Sequence, residues 1–215
     1  MNVKRIRLEI SIRVMEKTLT VAGYKCRAQY YEAPGIPIVF LHGLSANLEI
    51  WQQTKVTEFL IDKRIPFLAL DMPYGPKSIC QTKTRNPETN VTFVAEAVRH
   101  VFGSTTPVLV GGSIGGRIAL RFAMRFPVKG LLLVSPSNAL ESITDPSYAG
   151  FNFPVRIVWG SHDNLVSGEE MRALSEKIPG AKLVIYEDAS HRAYVDQPDR
   201  FKRDLIELYA LAEKV

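Results

Sequence analysis

The sequence predicts an α/β fold with a mostly parallel central sheet of about eight strands and helices on both faces. Six short apolar runs without polar alternation are typical of strands buried on both faces of a parallel sheet: Ile36–Leu41, Ile65–Leu70, Pro107–Val110, Gly130–Val134, Val155–Trp159 and Lys182–Tyr186. Amphipathic stretches at helical spacing separate most of these runs: Leu48–Lys63, Val91–Phe102, Gly115–Phe126, Gly168–Ile178 and Arg200–Ala212. The composition, 46% hydrophobic and 23% charged, is that of a globular protein with a sizeable core.

The N-terminal region predicts antiparallel strands ahead of this sheet. Apolar and charged residues alternate through residues 1–14, which we interpret as an extra edge strand with one buried face. A second strand over Glu16–Val21 and a third that ends near Glu32 follow, joined by a turn. Short connections of this kind join antiparallel neighbours.

Charge is concentrated in the same region. Residues 1–30 carry seven basic and two acidic side chains, whereas residues 31–215 are balanced. We interpret the basic side chains as protection of a sheet edge against pairing with other chains, and predict no nucleic-acid partner. No apolar run approaches the roughly 20 residues that span a bilayer, so no membrane partner is predicted. The charged start of the chain predicts a cytoplasmic protein.

The chain length predicts one domain over residues 1–215. Residues 136–154 join two strands without a strong helical pattern, and we interpret them as a short crossover in place of a cap. In an open α/β sheet, ligands bind beyond the carboxyl ends of the strands. The residues that directly follow each apolar run are therefore the candidates for function.

The strand ending at Val110 is followed by the sequence Gly-Gly-Ser-Ile-Gly over residues 111–115, and then by a helical pattern. This G-x-S-x-G motif between a strand and a helix is typical of a nucleophile on a sharp, strained turn, which predicts Ser113 as the nucleophile. The glycines on either side avoid clashes, and the N-terminus of the helix offers N–H groups to a developing oxyanion.

Two further segments make the chain resemble the α/β-hydrolase superfamily. His42-Gly43-Leu44-Ser45 follows the strand ending at Leu41, and the loop over residues 71–78 is similar to the family's Asp-x-x-Gly-x-Gly-x-Ser loop. The resemblance covers about residues 16–213. It implies that the backbone N–H groups of Leu44 and Ile114 form an oxyanion hole, and that His42 holds the turn rather than transferring protons.

Two more strand ends supply an acid and a base. Asp163 follows the strand ending at Trp159 and His191 follows the strand ending at Tyr186, so the chain order is Ser113, Asp163, His191. That order is the one expected for the α/β-hydrolase fold. A serine hydroxyl needs an imidazole as base, and the imidazole needs a carboxylate to fix its tautomer. Asp188 is the alternative acid, but it stands only three residues before His191.

These residues predict a serine esterase that forms an acyl-serine intermediate and prefers small acyl groups. A thioesterase or a perhydrolase would use the same three groups, and a non-catalytic binding module on a hydrolase scaffold is the alternative from another class. The histidines lack metal-ligand spacing, so neither a metal nor a cofactor is predicted. Six residues are candidates to line the substrate site: Ser45, Met72, Tyr74, Tyr148, Phe151 and His162.

The two cysteines, Cys26 and Cys80, form no metal motif. Cys26 shares a strand face with apolar residues, and we interpret it as a small buried side chain, whereas Cys80 falls in a loop. The sequence alone does not pair them.

Overall fold

One eight-stranded sheet organises the protein in a computed structural model that describes residues 14–142, 148 and 150–215. The sheet order is β1-β2-β4-β3-β5-β6-β7-β8. The strands are β1 (Met15–Val21), β2 (Tyr24–Tyr31), β3 (Ile38–Leu41), β4 (Phe67–Leu70), β5 (Val108–Gly112), β6 (Gly130–Val134), β7 (Val155–Gly160) and β8 (Lys182–Tyr186). From β4 to β8 every pairing is parallel, so the predicted fold class is confirmed.

The first two strands form an antiparallel hairpin at one edge of the sheet. Ala22 and Gly23 connect them, both with positive φ angles (50° and 79°), as a two-residue hairpin turn requires. β2 then pairs antiparallel with β4. Apart from Val14, the extra strand predicted over residues 1–14 lies outside the described residues.

Helices cover both faces of the sheet, and each central strand divides its side chains between them. In β3, Val39 and Leu41 pack on one face while Ile38 and Phe40 pack on the other. The first face is covered by α3 (Pro87–Phe102), α4 (Ile114–Ala123) and α5 (Gly168–Lys177). The second is covered by α1 (Ile50–Gln53), α2 (Val56–Asp62), α6 (Ala193–Asp196) and α7 (Pro198–Ala212).

The largest differences from the helical predictions lie in the first predicted helix and in α3. The stretch Leu48–Lys63 is two helices rather than one, because Lys55 has a left-handed backbone (φ 56°) that ends the first helix. α3 begins four residues before the predicted Val91, because the Asn86 side chain accepts the N–H of Thr89 and Pro87 occupies the first turn.

The described part of the crossover between β6 and β7 packs against the core. It contains a 3₁₀ turn over Leu140–Ser142 and then an aromatic group. Tyr148 and Phe151 meet edge to face with centroids 5.2 Å apart, and Phe151 lies 4.6 Å from Phe153. Tyr148 and Phe151 belong to the core beneath α3, α4 and α5.

A disulfide joins Cys26 on β2 to Cys80 in the loop after β4. The loop runs beside β2 at this point, since Arg27 N donates to Ile79 O and Gln81 N donates to Lys25 O, both at 3.0 Å. Cys26 is buried, as the sequence predicts, and the loop brings Cys80 onto the strand to form a pairing that the sequence alone does not give.

Candidate active site

Ser113 stands on a strained turn between β5 and α4. Its φ of 54° and ψ of −120° lie outside the regions that L-residues usually adopt. The flanking glycines are required by close approach: a Cβ on Gly111 would lie 2.4 Å from the carbonyl oxygen of Gly115, and one on Gly115 would lie 2.3 Å from that of Leu41. The turn therefore depends on the glycine spacing from which Ser113 was predicted.

Asp163 and His191 meet beyond the ends of β7 and β8. The Nδ1 atom of His191 lies 2.8 Å from Oδ2 of Asp163. The side chain of Asp163 is fully buried, whereas that of His191 is 14% exposed. A carboxylate at Nδ1 fixes the tautomer that carries its proton there, which leaves Nε2 as an acceptor on the exposed side.

The second carboxylate oxygen of Asp163 holds its own loop. Oδ1 accepts the backbone N–H groups of Leu165 at 2.9 Å and Val166 at 3.0 Å. Burial alone would raise the pKa of Asp163, but the hydrogen bonds that its carboxylate accepts, first of all that from His191, together outweigh it. The pKa of Asp163 therefore lies below its ordinary value, and the carboxylate is ionised at neutral pH.

His42 is fully buried behind the turn that follows β3. Its Nδ1 lies 2.7 Å from the carbonyl oxygen of Gly43, and its Nε2 accepts the N–H of Met72 at 3.0 Å. The Ser78 hydroxyl lies 2.9 Å from the same Nε2, and the Tyr74 hydroxyl donates to the His42 carbonyl. Burial lowers the pKa of His42 to about 4, so a neutral imidazole joins the two loops.

The N–H groups of Leu44 and Ile114 stand on the loops on either side of Ser113. Ile114 is the first residue of α4, where an N–H has no acceptor one turn back. Within the described residues, neither N–H group donates a hydrogen bond. The Cβ of Ser113 would be 3.6 Å from a Cβ on Gly43, the residue before Leu44, so the two loops are in contact.

A cavity of about 240 Å³ brings these elements together. Its lining includes both predicted proton-transfer groups, Ser113 and His191, and the predicted residues Leu44 and Ser45. The other wall residues are Gly43, Ala46, Gly112, Leu165, Arg192 and Tyr194. Asp163 is not part of this lining, and its buried carboxylate contacts Nδ1 of His191.

Most of the other residues predicted to line the substrate site lie elsewhere. Met72 and Tyr74 are buried in the core, Tyr74 with its hydroxyl on the His42 carbonyl. Tyr148 and Phe151 pack in the aromatic group of the crossover. His162 is exposed, 3.8 Å from Asp188. The alternative acid Asp188 thus faces His162 and not His191.

The structure adds wall residues that the sequence analysis missed: Ala46, Leu165, Arg192 and Tyr194. Arg192 directly follows His191, and Leu165 stands two residues after Asp163. Proximity in sequence to a predicted catalytic residue was therefore a usable signal for two of them.

The part of the chain that the structure describes holds no group of three or more His, Cys, Asp and Glu side chains arranged to bind a metal ion. Among the same residues, no helix combines the length and the apolar character needed to cross a bilayer.

The strand order, the turn at Ser113 and the pair Asp163–His191 define an α/β hydrolase. The chain belongs to the alpha/beta hydrolase fold family, whose model matches residues 36–156. Two curated relatives are protein ABHD14A from Homo sapiens, 26% identical over 79% of this chain, and the "putative protein-lysine deacylase ABHD14B" from Rattus norvegicus, 23% identical over 92%. The chain spans 62% of the human relative and 96% of the rat relative. A third relative, ABHD14A from Danio rerio, is 25% identical over 81% of this chain, which spans 64% of it.

Solved structures share the fold at low sequence identity. A predicted CIB-like hydrolase from Thermoplasma acidophilum superposes with a TM-score of 0.81 at 21% identity, covering 94% of this chain and 99% of that protein. The carboxylesterase CesB from Bacillus subtilis superposes with a TM-score of 0.77 at 15% identity, covering 92% of both chains.

Proposed function

We propose that this protein is a serine hydrolase that cleaves carboxylic esters with small acyl groups. One observation carries the proposal: a buried carboxylate at Asp163 holds Nδ1 of His191, and His191 lines the same cavity as the strained Ser113. A hydroxyl, a base and a carboxylate in this order are the groups that acyl transfer requires.

In the proposed reaction, Ser113 Oγ attacks the ester carbonyl carbon as its proton passes to Nε2 of His191. The carbonyl oxygen becomes an oxyanion, which accepts hydrogen bonds from the N–H groups of Leu44 and Ile114. Collapse breaks the bond to the alcohol oxygen, which takes the proton from His191 and leaves. Water then attacks the acyl-serine by the same steps, releases the acid and restores Ser113.

The wall of the cavity supports the preference for small acyl groups. A volume of about 240 Å³ lies below the range of roughly 300–1,000 Å³ typical of drug-sized ligands. The described residues of the crossover contribute nothing to its lining, so they do not extend it into a tunnel. The rate on p-nitrophenyl esters should therefore be highest for short acyl chains and fall toward palmitate.

Removal of an acyl group from a lysine side chain is the second candidate. It is favoured by the rat relative named as a putative protein-lysine deacylase, which this chain matches over 96% of that relative's length. The same three groups would serve, with an amine as leaving group in place of an alcohol. Release of acetate from an acetyl-lysine peptide, followed by mass spectrometry, separates this activity from ester hydrolysis.

The decisive experiment is labelling with a fluorophosphonate probe, followed by peptide mapping. The wild-type protein should carry the label on Ser113, and Ser113→Ala should lose ester turnover by about 10⁶-fold. Ser104→Ala is the matched control, because Ser104 is exposed after α3 and outside the cavity. A folded protein with no label and no turnover on esters, thioesters or acyl-lysine would identify a binding module instead.

A further inference from the structure

Among the described residues that line the cavity of Ser113 and His191, Arg192 is the one with a permanently charged side chain. It directly follows His191, and it is both exposed and part of the cavity lining. Much of the remaining wall is apolar, with Leu44, Ala46 and Leu165. A cation at the edge of an otherwise largely apolar site is a feature that ester hydrolysis itself does not require.

The backbone of Arg192 is held in place by hydrogen bonds on both sides. Its N–H donates to the Ser190 hydroxyl at 3.3 Å. Its carbonyl oxygen accepts the N–H groups of Val195 at 2.7 Å and Asp196 at 3.2 Å, which anchors the start of α6. The side chain therefore projects from a fixed point beside His191.

The carboxylates of the same region are engaged with other groups. Asp163 is bonded to His191, and Asp196 accepts both the N–H and the hydroxyl of Ser190, at 2.7 and 2.6 Å. Asp188 faces His162. Within the described residues, no carboxylate lies within ion-pair distance of the Arg192 guanidinium. Its charge is thus available to a molecule in the cavity.

We propose that Arg192 binds a carboxylate group of the substrate, so that the enzyme favours esters that carry a negative charge near the scissile bond. This inference rests on the proposed esterase function and names its substrate class. A guanidinium pairs with a carboxylate through two parallel hydrogen bonds, which are stronger than neutral ones. The carboxylate lies on either the acyl or the alcohol part of the ester, and the experiment distinguishes the two.

The test compares kcat/KM for two matched pairs of substrates. The acyl arm uses the mono-p-nitrophenyl ester of glutaric acid against p-nitrophenyl pentanoate, and the alcohol arm uses 3-acetoxybenzoate against 3-acetoxybenzamide. In each arm the ratio of charged to neutral substrate is taken within one protein, so that general effects of a substitution cancel. The Ser113→Ala protein supplies the blank for spontaneous hydrolysis.

Arg192→Gln should lower that ratio about tenfold in one arm, mainly through KM, because the substitution removes a charge-assisted hydrogen bond at a site that is partly exposed to water. Arg192→Lys should lie between wild type and Arg192→Gln. Arg172→Gln is the matched control, because Arg172 is exposed on α5 outside the cavity and its loss should leave both ratios unchanged. A loss in the acyl arm places the carboxylate on the acyl group, and a loss in the alcohol arm places it on the leaving group.

Unchanged ratios in both arms of Arg192→Gln would overturn the inference while leaving the esterase proposal intact. The proposed function fails in a different way, with neither the neutral nor the charged esters cleaved by the wild-type protein and no fluorophosphonate label on Ser113.

Discussion

Asp71 and Asp163 both follow strands of the sheet, Asp71 directly after β4 and Asp163 three residues beyond the end of β7. Both side chains are fully buried, and both accept backbone N–H groups from their surroundings. Asp71 accepts those of Leu48 at 2.9 Å and Ile79 at 2.8 Å, just as Asp163 accepts those of Leu165 and Val166. Asp71 and Asp163 are therefore alike in that each carboxylate accepts two backbone N–H groups.

Their remaining partners differ. Asp71 meets Nε of Arg27 at 3.1 Å, and the same guanidinium reaches Glu49 at 2.8 Å, so Asp71 belongs to a cluster of ion pairs. Asp163 meets the imidazole of His191, which can gain and lose a proton and which lines the cavity. Under the proposed function, Asp163 orients a base for proton transfer, whereas Asp71 orients a guanidinium within the fold. The partner of the carboxylate, and not its burial, makes the difference.

The largest effect that this comparison predicts is on activity at Asp163. Asp163→Asn should lower kcat by about 10³–10⁴-fold with the fold retained, because an amide no longer holds the tautomer of His191 that accepts the Ser113 proton. Steady-state kinetics on a short-chain ester measures the loss, and circular dichroism checks the fold.

Asp188→Asn is the matched control, since Asp188 lies in the same region but faces the exposed His162. It should keep wild-type turnover. If Asp188→Asn lost most of its activity and Asp163→Asn stayed active, Asp188 and not Asp163 would be the acid of the site. The contrast between Asp163 and Asp71 would then no longer hold.

At Asp71 the substitution should lower stability and leave activity largely unchanged. Asp71→Asn should lower the free energy of unfolding by about 3–5 kcal/mol, because it leaves the guanidinium of Arg27 without a buried counter-charge and turns one accepting oxygen into a donor. Urea denaturation measures this change. The variant should keep far more activity than Asp163→Asn at temperatures where it is folded, and an inactive but fully stable Asp71→Asn would show that the two acids do not differ in role.

The sequence indicates which residues surround Asp163 but not which residues surround Asp71. Ser113, Asp163 and His191 all stand just after apolar strands, and parallel strands bring their carboxyl ends to one edge, so order along the chain indicates proximity in space. The 2.8 Å contact between Asp163 and His191 agrees with that expectation. The partners of Asp71 carry no such signal, because Arg27, Leu48 and Ile79 come from three separate segments.

The lining of the cavity was harder to predict for a physical reason. Strand ends determine where a loop begins but not the direction in which its side chains point. Met72 and Tyr74 follow β4 directly, yet they turn into the core because the loop folds back over His42. The break between α1 and α2 was also not predicted, because the residue with the left-handed backbone there is Lys55 and not a glycine.

A third prediction concerns the disulfide, which joins the same strand and loop as the Arg27–Asp71 pair. Cys26 and Cys80 close a loop with a separation of 54 residues, and removal of such a link costs about 2–4 kcal/mol of stability. Cys26→Ser with Cys80→Ser should show that loss in urea denaturation under oxidising buffer.

The wild-type protein in excess reductant is the matched sample and should unfold at the same midpoint as the double variant. Equal stability of the oxidised wild type and the double variant would contradict a supporting role for the link.

The smallest predicted effect is on the pH dependence of stability, and it extends the comparison to His191 and His42. His191 is partly exposed and serves the cavity, whereas His42 is buried and joins the loop of Asp71 to the turn at Gly43. Burial lowers the pKa of His42 from its ordinary value of 6.5 to about 4, so between these values the unfolded chain binds a proton that the folded protein does not. Stability therefore falls on acidification through this window, by about 2 kcal/mol between pH 7 and pH 4.5.

The measurement is the free energy of unfolding of the wild type and of His42→Gln across this range. The difference between them should be largest near pH 7 and shrink toward pH 4.5, because the glutamine variant has no imidazole to protonate. His100→Gln, which removes an exposed histidine from α3, should run parallel to the wild type. A wild-type profile parallel to that of His42→Gln would contradict the prediction, because it would mean that His42 binds a proton as readily in the folded protein as in the unfolded chain.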